Sequence, residues 1–263
     1  MDTLYIHPLQ TCYGRLRRAE EHLESFNQEM DAYTKSDAYE ITTELNGERT
    51  QYTYRAKVRT WPPARLSIVL SDCIHNLRAS LDHLVYQLAG RPAGKAARQV
   101  AFPIFDDPAE YSKAVDKRLL GVSAKARALI ERLQPYNARN AAFSFGPPPL
   151  LVLYHLSNFD KHRDIHLIWG ASRSASVKVE EPPIEQELIG PLLIDGAELA
   201  RFTFARPDVK MNISFHFTVC LQAGDLDTVV SIVYLRAILD LIRNHILPQF
   251  GLDSGLWGFP IKG

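Results

Sequence analysis

The sequence predicts an α+β fold: a helical-bundle core with an inserted β-hairpin, then an antiparallel sheet and a closing C-terminal helix. Three observations predict it. Leu70, Ile74, Leu77, Leu81, Leu84 and Leu88 recur at alternating steps of four and three, the apolar seam of a helix packed against other helices. "AYEITTELNGERTQYTYRAKV" holds two β-rich runs around Asn46-Gly47, a hairpin signal. "VKMNISFHFTVCL" alternates strictly, with Val209, Met211, Ile213, Phe215, Phe217, Val219 and Leu221 on one face, as in a half-buried antiparallel strand.

Taken in order, residues 9–33 suit a helix with a strongly charged side (Arg15, Arg17, Arg18, Glu20, Glu21). The hairpin follows at about 38–59. A two-residue type I′ turn at Asn46-Gly47 pairs Ile41 with Tyr52 and Tyr39 with Tyr54 on one face, leaving Glu40, Thr42, Gln51 and Thr53 on the other. Pro62 and Pro63 open the leucine-seamed helix, because a first-turn proline lacks only an N–H that has no partner there anyway. That helix stops before Gly90 and Pro92, and residues 91–98 read as a connection. In "FDDPAEY", Asp107 is an N-cap, Pro108 takes N1 and Glu110 takes N3, a capping-box arrangement. One or two helices follow, to about residue 133. A further helix covers about 150–158 and runs into "NFDKHRDIHLI", whose end reads as a strand. Strands are expected at SVKVE, PLLID and ELARFTFA, and the final helix at about 227–247. No composition break marks a linker. The chain therefore reads as one α+β unit over 1–263, mainly helical over 1–165 and strand-rich over 166–263.

Lysine plus arginine (30) equals aspartate plus glutamate (30), so a global basic field for nucleic acid is absent and any such binding rests on a local patch. The three cysteines, Cys12, Cys73 and Cys220, lie far apart without a C-x-x-C, which suggests neither a disulfide framework nor a zinc knuckle. The opening MDTLYIHPLQ lacks the pattern of a signal peptide, and no apolar run reaches membrane-spanning length. A cytoplasmic protein is expected.

The leucine seam leaves an unusual polar side on its helix. An ordinary solvated face uses Glu, Lys and Gln, but "HNLRASLDHL" uses His, Asn, Arg, Asp and His. At about 100° per residue, His75 and Asp82 share one line and Asn76 and His83 the next, with Asp72 one turn earlier. Arg78 precedes Asp82 by one turn and pairs with it. Two histidines that titrate near neutrality, with carboxylates near enough to raise their pKa, make this a candidate site. The plainer alternative is an interhelical polar face with Arg78–Asp82 as an ordinary helix pair. A metal site built on Asp72, His75 and Asn76 or His83 has workable spacing but no H-E-x-x-H or E-x-x-H signature.

The run Arg78-Ala79-Ser80-Leu81-Asp82-His83 resembles the R-x4-6-H pattern of HEPN-type ribonucleases, helical-bundle proteins of toxin–antitoxin and antiviral systems. The resemblance implies metal-independent attack of an RNA 2′-hydroxyl on the adjacent phosphate, usually in a homodimer that pairs its motif helices. Carried over, Arg78 binds phosphate and His83 is the general acid or base, with His75, Asn76 and Asp82 beside them. The position after the arginine, often Asn, Asp or His in that family, is Ala79 here, and Asn76 is the available substitute. The resemblance covers one helix. A broader one spans about 70–165: H-N-L-R-x-x-L-D-H, "FPIF", "LQPY" and N-x-D-K-H-R are similar to an uncharacterised group of bacterial proteins, which implies a shared fold and no activity.

A second polar cluster, "HLSNFDKHRDIH", holds His155, Asn158, Asp160, Lys161, His162, Arg163 and His166. Asn158 suits a helix end, and Lys161 and Arg163 suit the dipole beyond it. Three histidines among those charges exceed what a helix end needs. Asn158, Asp160, Lys161, His162 and Arg163 are thus candidates for substrate binding.

Three functions remain open at this point. The first is a HEPN-like RNA-cleaving homodimer, a toxin or defence effector with an antitoxin as protein partner, needing no metal and no cofactor. The second is a non-enzymatic structural or interaction protein. The third is a metal-dependent hydrolase using Asp72, His75, His83 and the second cluster.

Overall fold

A computed structural model describes residues 7–138, 146–160, 166–189, 194–222, 230–251 and 256; at 138, 166–175, 216–219, 222 and 230 it describes the backbone. The fold is α+β, with two antiparallel sheets and a helix near the C-terminus. No helix among the described residues is long and apolar enough to cross a membrane. The chain forms two compact units: Met1–Ser25, Ile68–Asp164 and Val233–Gly263 make the first, Phe26–Ser67 and Ile165–Ile232 the second.

In the first unit, α1 (Gln10–Thr34) supplies its N-terminal part and α2 (Ala64–Leu88) most of its length. The two run antiparallel: Ser80 Oγ donates to Cys12 O at 3.2 Å, and Arg15 reaches back to Asn76. The leucine seam does what its spacing predicts, for Leu70, Ile74, Leu77, Leu81, Leu84 and Leu88 are all fully buried. Beyond the helix, Gly90 takes a positive φ of 75°, Arg91 N–H bonds Tyr86 O and Gly90 N–H bonds Gln87 O. That Schellman closure satisfies carbonyls the last turn leaves over. A short α3 (Gly94–Ala97) interrupts the expected connection.

Then come α4 (Pro108–Arg118), α5 (Ala124–Arg132), α6 (Pro135–Ala138) and α7 (Pro149–Asp160). Asp107 caps α4 by accepting from Ala109 N–H at 2.8 Å with Pro108 at N1, as expected. The other half of the box is not formed, because Glu110 turns to Lys113 at 2.6 Å. The last helix, α8 (Val233–Leu241), passes into a π-helical turn, Ile242–Ile246, and a 3-10 turn, Leu247–Phe250. It begins later than the expected 227: Val230 and Ser231 form a short strand instead. The β-branched run "VVSIV" has no period that distinguishes strand from helix.

The second unit holds both sheets. One has the order β1 (Tyr39–Leu45), β2 (Gln51–Val58), β5 (Glu198–Thr203), β4 (Glu185–Leu188); the other runs β3 (His166–Val179), β6 (Met211–Gln222), β7 (Val230–Ser231). All their pairings are antiparallel. The hairpin forms, but its register differs from expectation: Ile41 faces Ala56, Thr43 faces Tyr54 and Leu45 faces Tyr52. Asn46 is the reason. Its side chain accepts from Thr50 N–H at 2.8 Å and Gln51 N–H at 3.0 Å, which opens a wider loop. The positive φ, 57°, falls on Arg49 and not on Gly47. The offset is even, so both faces of the hairpin keep the residues assigned to them.

Those faces build the unit's core. Tyr54, Ala200, Phe202, Phe204 and Val209 are buried, with Val177, Val179, Met211, Ile213 and Phe215 packed against them from the other sheet. Tyr54 meets Phe202 edge-on at 6.1 Å and Phe215 at 5.7 Å. Tyr52 adds a hydrogen bond from its hydroxyl to Val209 O at 2.8 Å. The strict alternation of β6 is kept where its side chains are described: 211, 213 and 215 turn inward, 212 and 214 outward. PLLID lies largely outside the described residues.

Candidate functional site

The polar side of α2 divides into two parts with different surroundings. On one part, Arg78 and Asp82 form the expected helix pair, Nη2 to Oδ1 at 2.9 Å and Nε to Oδ2 at 3.2 Å. The pair also grips a distant backbone. Arg78 Nη2 donates to Phe102 O at 2.6 Å, and Asp82 Oδ1 accepts from Phe102 N–H at 2.9 Å. Both backbone groups of one residue are thereby satisfied by one ion pair. The Arg78 side chain is only 16% exposed, so the guanidinium is committed there.

The rest of the "FPIF" segment is fixed the same way. Gln134, fully buried, donates to Pro103 O at 2.9 Å and to Ile130 O at 3.0 Å. Its Oε1 accepts from Phe105 N–H at 3.1 Å. Extended backbone outside a sheet has no ladder to satisfy it, and these two side-chain clamps supply the partners. Three motifs that lie apart in the sequence (H-N-L-R-x-x-L-D-H, FPIF and LQPY) therefore meet in one structural device.

The other part of the α2 face turns toward α1. Asn76 is buried, donates from Nδ2 to Asp72 O at 2.8 Å and accepts at Oδ1 from Arg15 Nη1 at 3.4 Å. His83 is half-buried. Burial pushes its pKa below the ordinary histidine value, the Arg15 guanidinium pushes it the same way, and Asp82 pulls weakly upward. The expectation that neighbouring carboxylates raise the imidazole therefore fails for His83: desolvation and a cation outweigh them, and the ring is neutral at pH 7. His22, half-buried on α1, is lowered chiefly by burial and then by Arg18, against Asp72 and Glu21. His75 is exposed.

Arg15 is the residue sequence reasoning missed. It was legible only as one of several charges on α1. Its approach to Asn76 depends on the antiparallel pairing of two helices 61 positions apart in the chain, which spacing does not encode. A second missed feature lies on α1, where Glu20 receives Arg236 Nη1 at 2.7 Å and Arg243 Nη2 at 2.6 Å. The hydrogen bond from Arg243 is the largest influence holding the Glu20 carboxyl below its usual range, with Arg236 adding to it against burial. A depressed carboxylate stabilises the fold above its unfolded pKa, and that contribution is lost as pH falls through the folded value. Glu20→Gln is expected to cost about 1 kcal/mol at pH 7, discounted for partial exposure. The gap to the parent should close as pH drops below about 4.5, the ordinary glutamate range. Urea titrations of both proteins at several pH values measure this.

Of the second cluster, Asn158 and Asp160 sit half-buried in the last turn of α7, and His155 lies earlier on the same helix with its ring edge-on to Tyr154. Lys161, His162 and Arg163 lie outside the described residues. His166 opens β3 in the second unit. Cys12 and Cys73 are buried, and burial pushes both thiols up to about 12, which removes them as nucleophiles at neutral pH. Among the described residues no three His, Cys, Asp or Glu side chains converge as metal ligands. Comparison with protein families, curated proteins and solved structures finds no match.

Proposed function

We propose that the protein is a HEPN-like, metal-independent RNA-cleaving protein of the cytoplasm, working as a homodimer, in the manner of a toxin or defence effector held by an antitoxin. What supports this reading is the setting of His83: half-buried, with its pKa lowered by burial and then by the Arg15 guanidinium. A neutral imidazole beside a cation suits removal of a 2′-hydroxyl proton next to a phosphate. His83 takes that proton, the freed oxygen attacks phosphorus, and the P–O5′ bond breaks. The leaving oxygen takes a proton from water, the hydroxide left behind takes the proton back from His83, and the products are a 2′,3′-cyclic phosphate and a 5′-hydroxyl. His75 is eight positions from His83, about 12 Å along the axis, too far to serve the same phosphate within one chain. That separation favours a dimer in which each copy offers its α2. Arg78 and Asp82 act in this reading as positioning residues.

The test is cleavage of labelled RNA by the purified protein in EDTA. His83→Ala is expected to slow it by about 10²- to 10⁴-fold with the fold intact. The parent rate should hold near pH 7 and fall as pH drops and His83 gains its proton. Cleavage by His83→Ala at the parent rate ends this reading.

A second reading, a non-enzymatic structural or interaction protein, is favoured by the double grip of Arg78 and Asp82 on Phe102. Under it, Arg78→Ala lowers stability, and RNA is unaffected by parent and variant alike.

A further inference from the structure

We infer that Arg15 of α1, and not Arg78 of the R-x4-6-H run, is the group that receives a phosphate at this face. The inference rests on the RNA-cleaving reading above and deepens it. A phosphate-binding guanidinium needs N–H donors that are not already used, in reach of solvent and beside the proton-transfer group.

Arg78 is poorly suited to that task, since two of its three guanidinium nitrogens are engaged and little of it reaches solvent. Its side chain is 16% exposed, it is paired through two nitrogens with Asp82, and it also donates to Phe102 O. To take up a phosphate with those nitrogens it would have to abandon a carboxylate and a backbone carbonyl. Arg15 meets each condition. It is exposed, and its one hydrogen bond among the described residues is the long 3.4 Å contact to the Asn76 amide oxygen. No carboxylate among the described residues pairs with it, whereas its helix neighbour Arg18 is engaged with Glu21 at 2.8 Å. An amide oxygen is a weak partner for a guanidinium, and an anion displaces it readily. Asn76 then keeps its own bond to Asp72 O and marks where the fork of Arg15 rests when empty. Arg15 is also the cation whose field reaches His83, which puts anion binding and proton transfer on the same side of α2.

The experiment measures binding apart from cleavage. The probe is a fluorescent RNA oligonucleotide with 2′-O-methyl sugars, which offers its phosphates but lacks the attacking hydroxyl. Fluorescence anisotropy is read at several salt concentrations, with cleavage of the all-ribose oligonucleotide run in parallel. Arg15→Gln is an exposed substitution and is expected to fold like the parent. It should weaken binding about tenfold and lower the salt slope by about one, while Arg15→Lys recovers part of the loss. His83→Ala should bind like the parent and cleave about 10²- to 10⁴-fold more slowly. If Arg15→Gln binds and cleaves as the parent does, Arg15 is not the phosphate group, although the RNA-cleaving reading survives. If the parent neither binds nor cleaves, that reading falls and the role of Arg15 falls with it.

Discussion

Arg78→Ala is expected to lower stability by about 2–3 kcal/mol, somewhat below the figure for breaking a fully buried ion pair because Asp82 keeps partial access to water. The substitution removes the carboxylate's partner and the donor to Phe102 O together. Asp82 is left as an unpaired charge at a half-buried position, and the Phe102 carbonyl loses its contact. Asp82→Asn is milder, about 1–2 kcal/mol, because an amide oxygen still accepts from Phe102 N–H. Arg78 and Asp82 share a network, so their effects are not additive. A double-mutant cycle by urea denaturation should give a coupling of about 1–2 kcal/mol. Additive effects would mean that the grip on Phe102 is not a unit. The same variants separate a scaffold from a reactive arginine: a folded Arg78→Ala protein that cleaves RNA normally assigns Arg78 to architecture.

Gln134→Leu should be at least as damaging, at about 3 kcal/mol. Leucine nearly matches the volume of glutamine, so no cavity explains the loss. What it removes is the partner of Pro103 O and of Phe105 N–H in a site with no solvent access, while Ile130 O keeps the Leu133 N–H at 3.2 Å. Each buried polar group left without a partner costs about 1–3 kcal/mol, and relaxation of the segment recovers part of that. Gln134→Glu sharpens the test. It keeps an acceptor for Phe105 N–H but sets a carboxylate against two carbonyl oxygens, and should be worse than leucine near neutral pH. Amide exchange at Phe105 reports the effect locally: its N–H should exchange faster in Gln134→Leu than the neighbouring helix amides do. Equal protection in the two proteins would show that the segment is held by something else.

Much of the architecture was legible because it depends on local periodicity. The leucine seam named the buried side of α2, Asp107-Pro108 named the start of α4, and Gly90 named the end of α2. The hairpin faces followed from alternation, but the register did not, because the Asn46 side chain chose a wider loop than Asn-Gly suggests and an even offset leaves alternation unchanged. β4 went unseen since every residue of Glu185–Leu188 is exposed, so burial left no pattern on it. At the candidate site the helix face could be drawn from about 100° per residue. Its partners could not. Phe102 lies 24 positions from Arg78, and Asn76 lies 61 from Arg15. Spacing along one helix states which groups share a line, and only packing decides which of them become occupied.

The two long helices have one further consequence. α1 is claimed partly by one unit and partly by the other, with the division at Ser25 and Phe26, and α2 is shared in the same way at Ser67 and Ile68. These two of the four boundaries thus fall inside continuous runs of helical hydrogen bonds and not in loops. Neither half is a contiguous stretch of gene, and severing the chain at either border would expose unpaired N–H and C=O groups mid-helix. Genetic truncation or grafting of one half is therefore self-defeating.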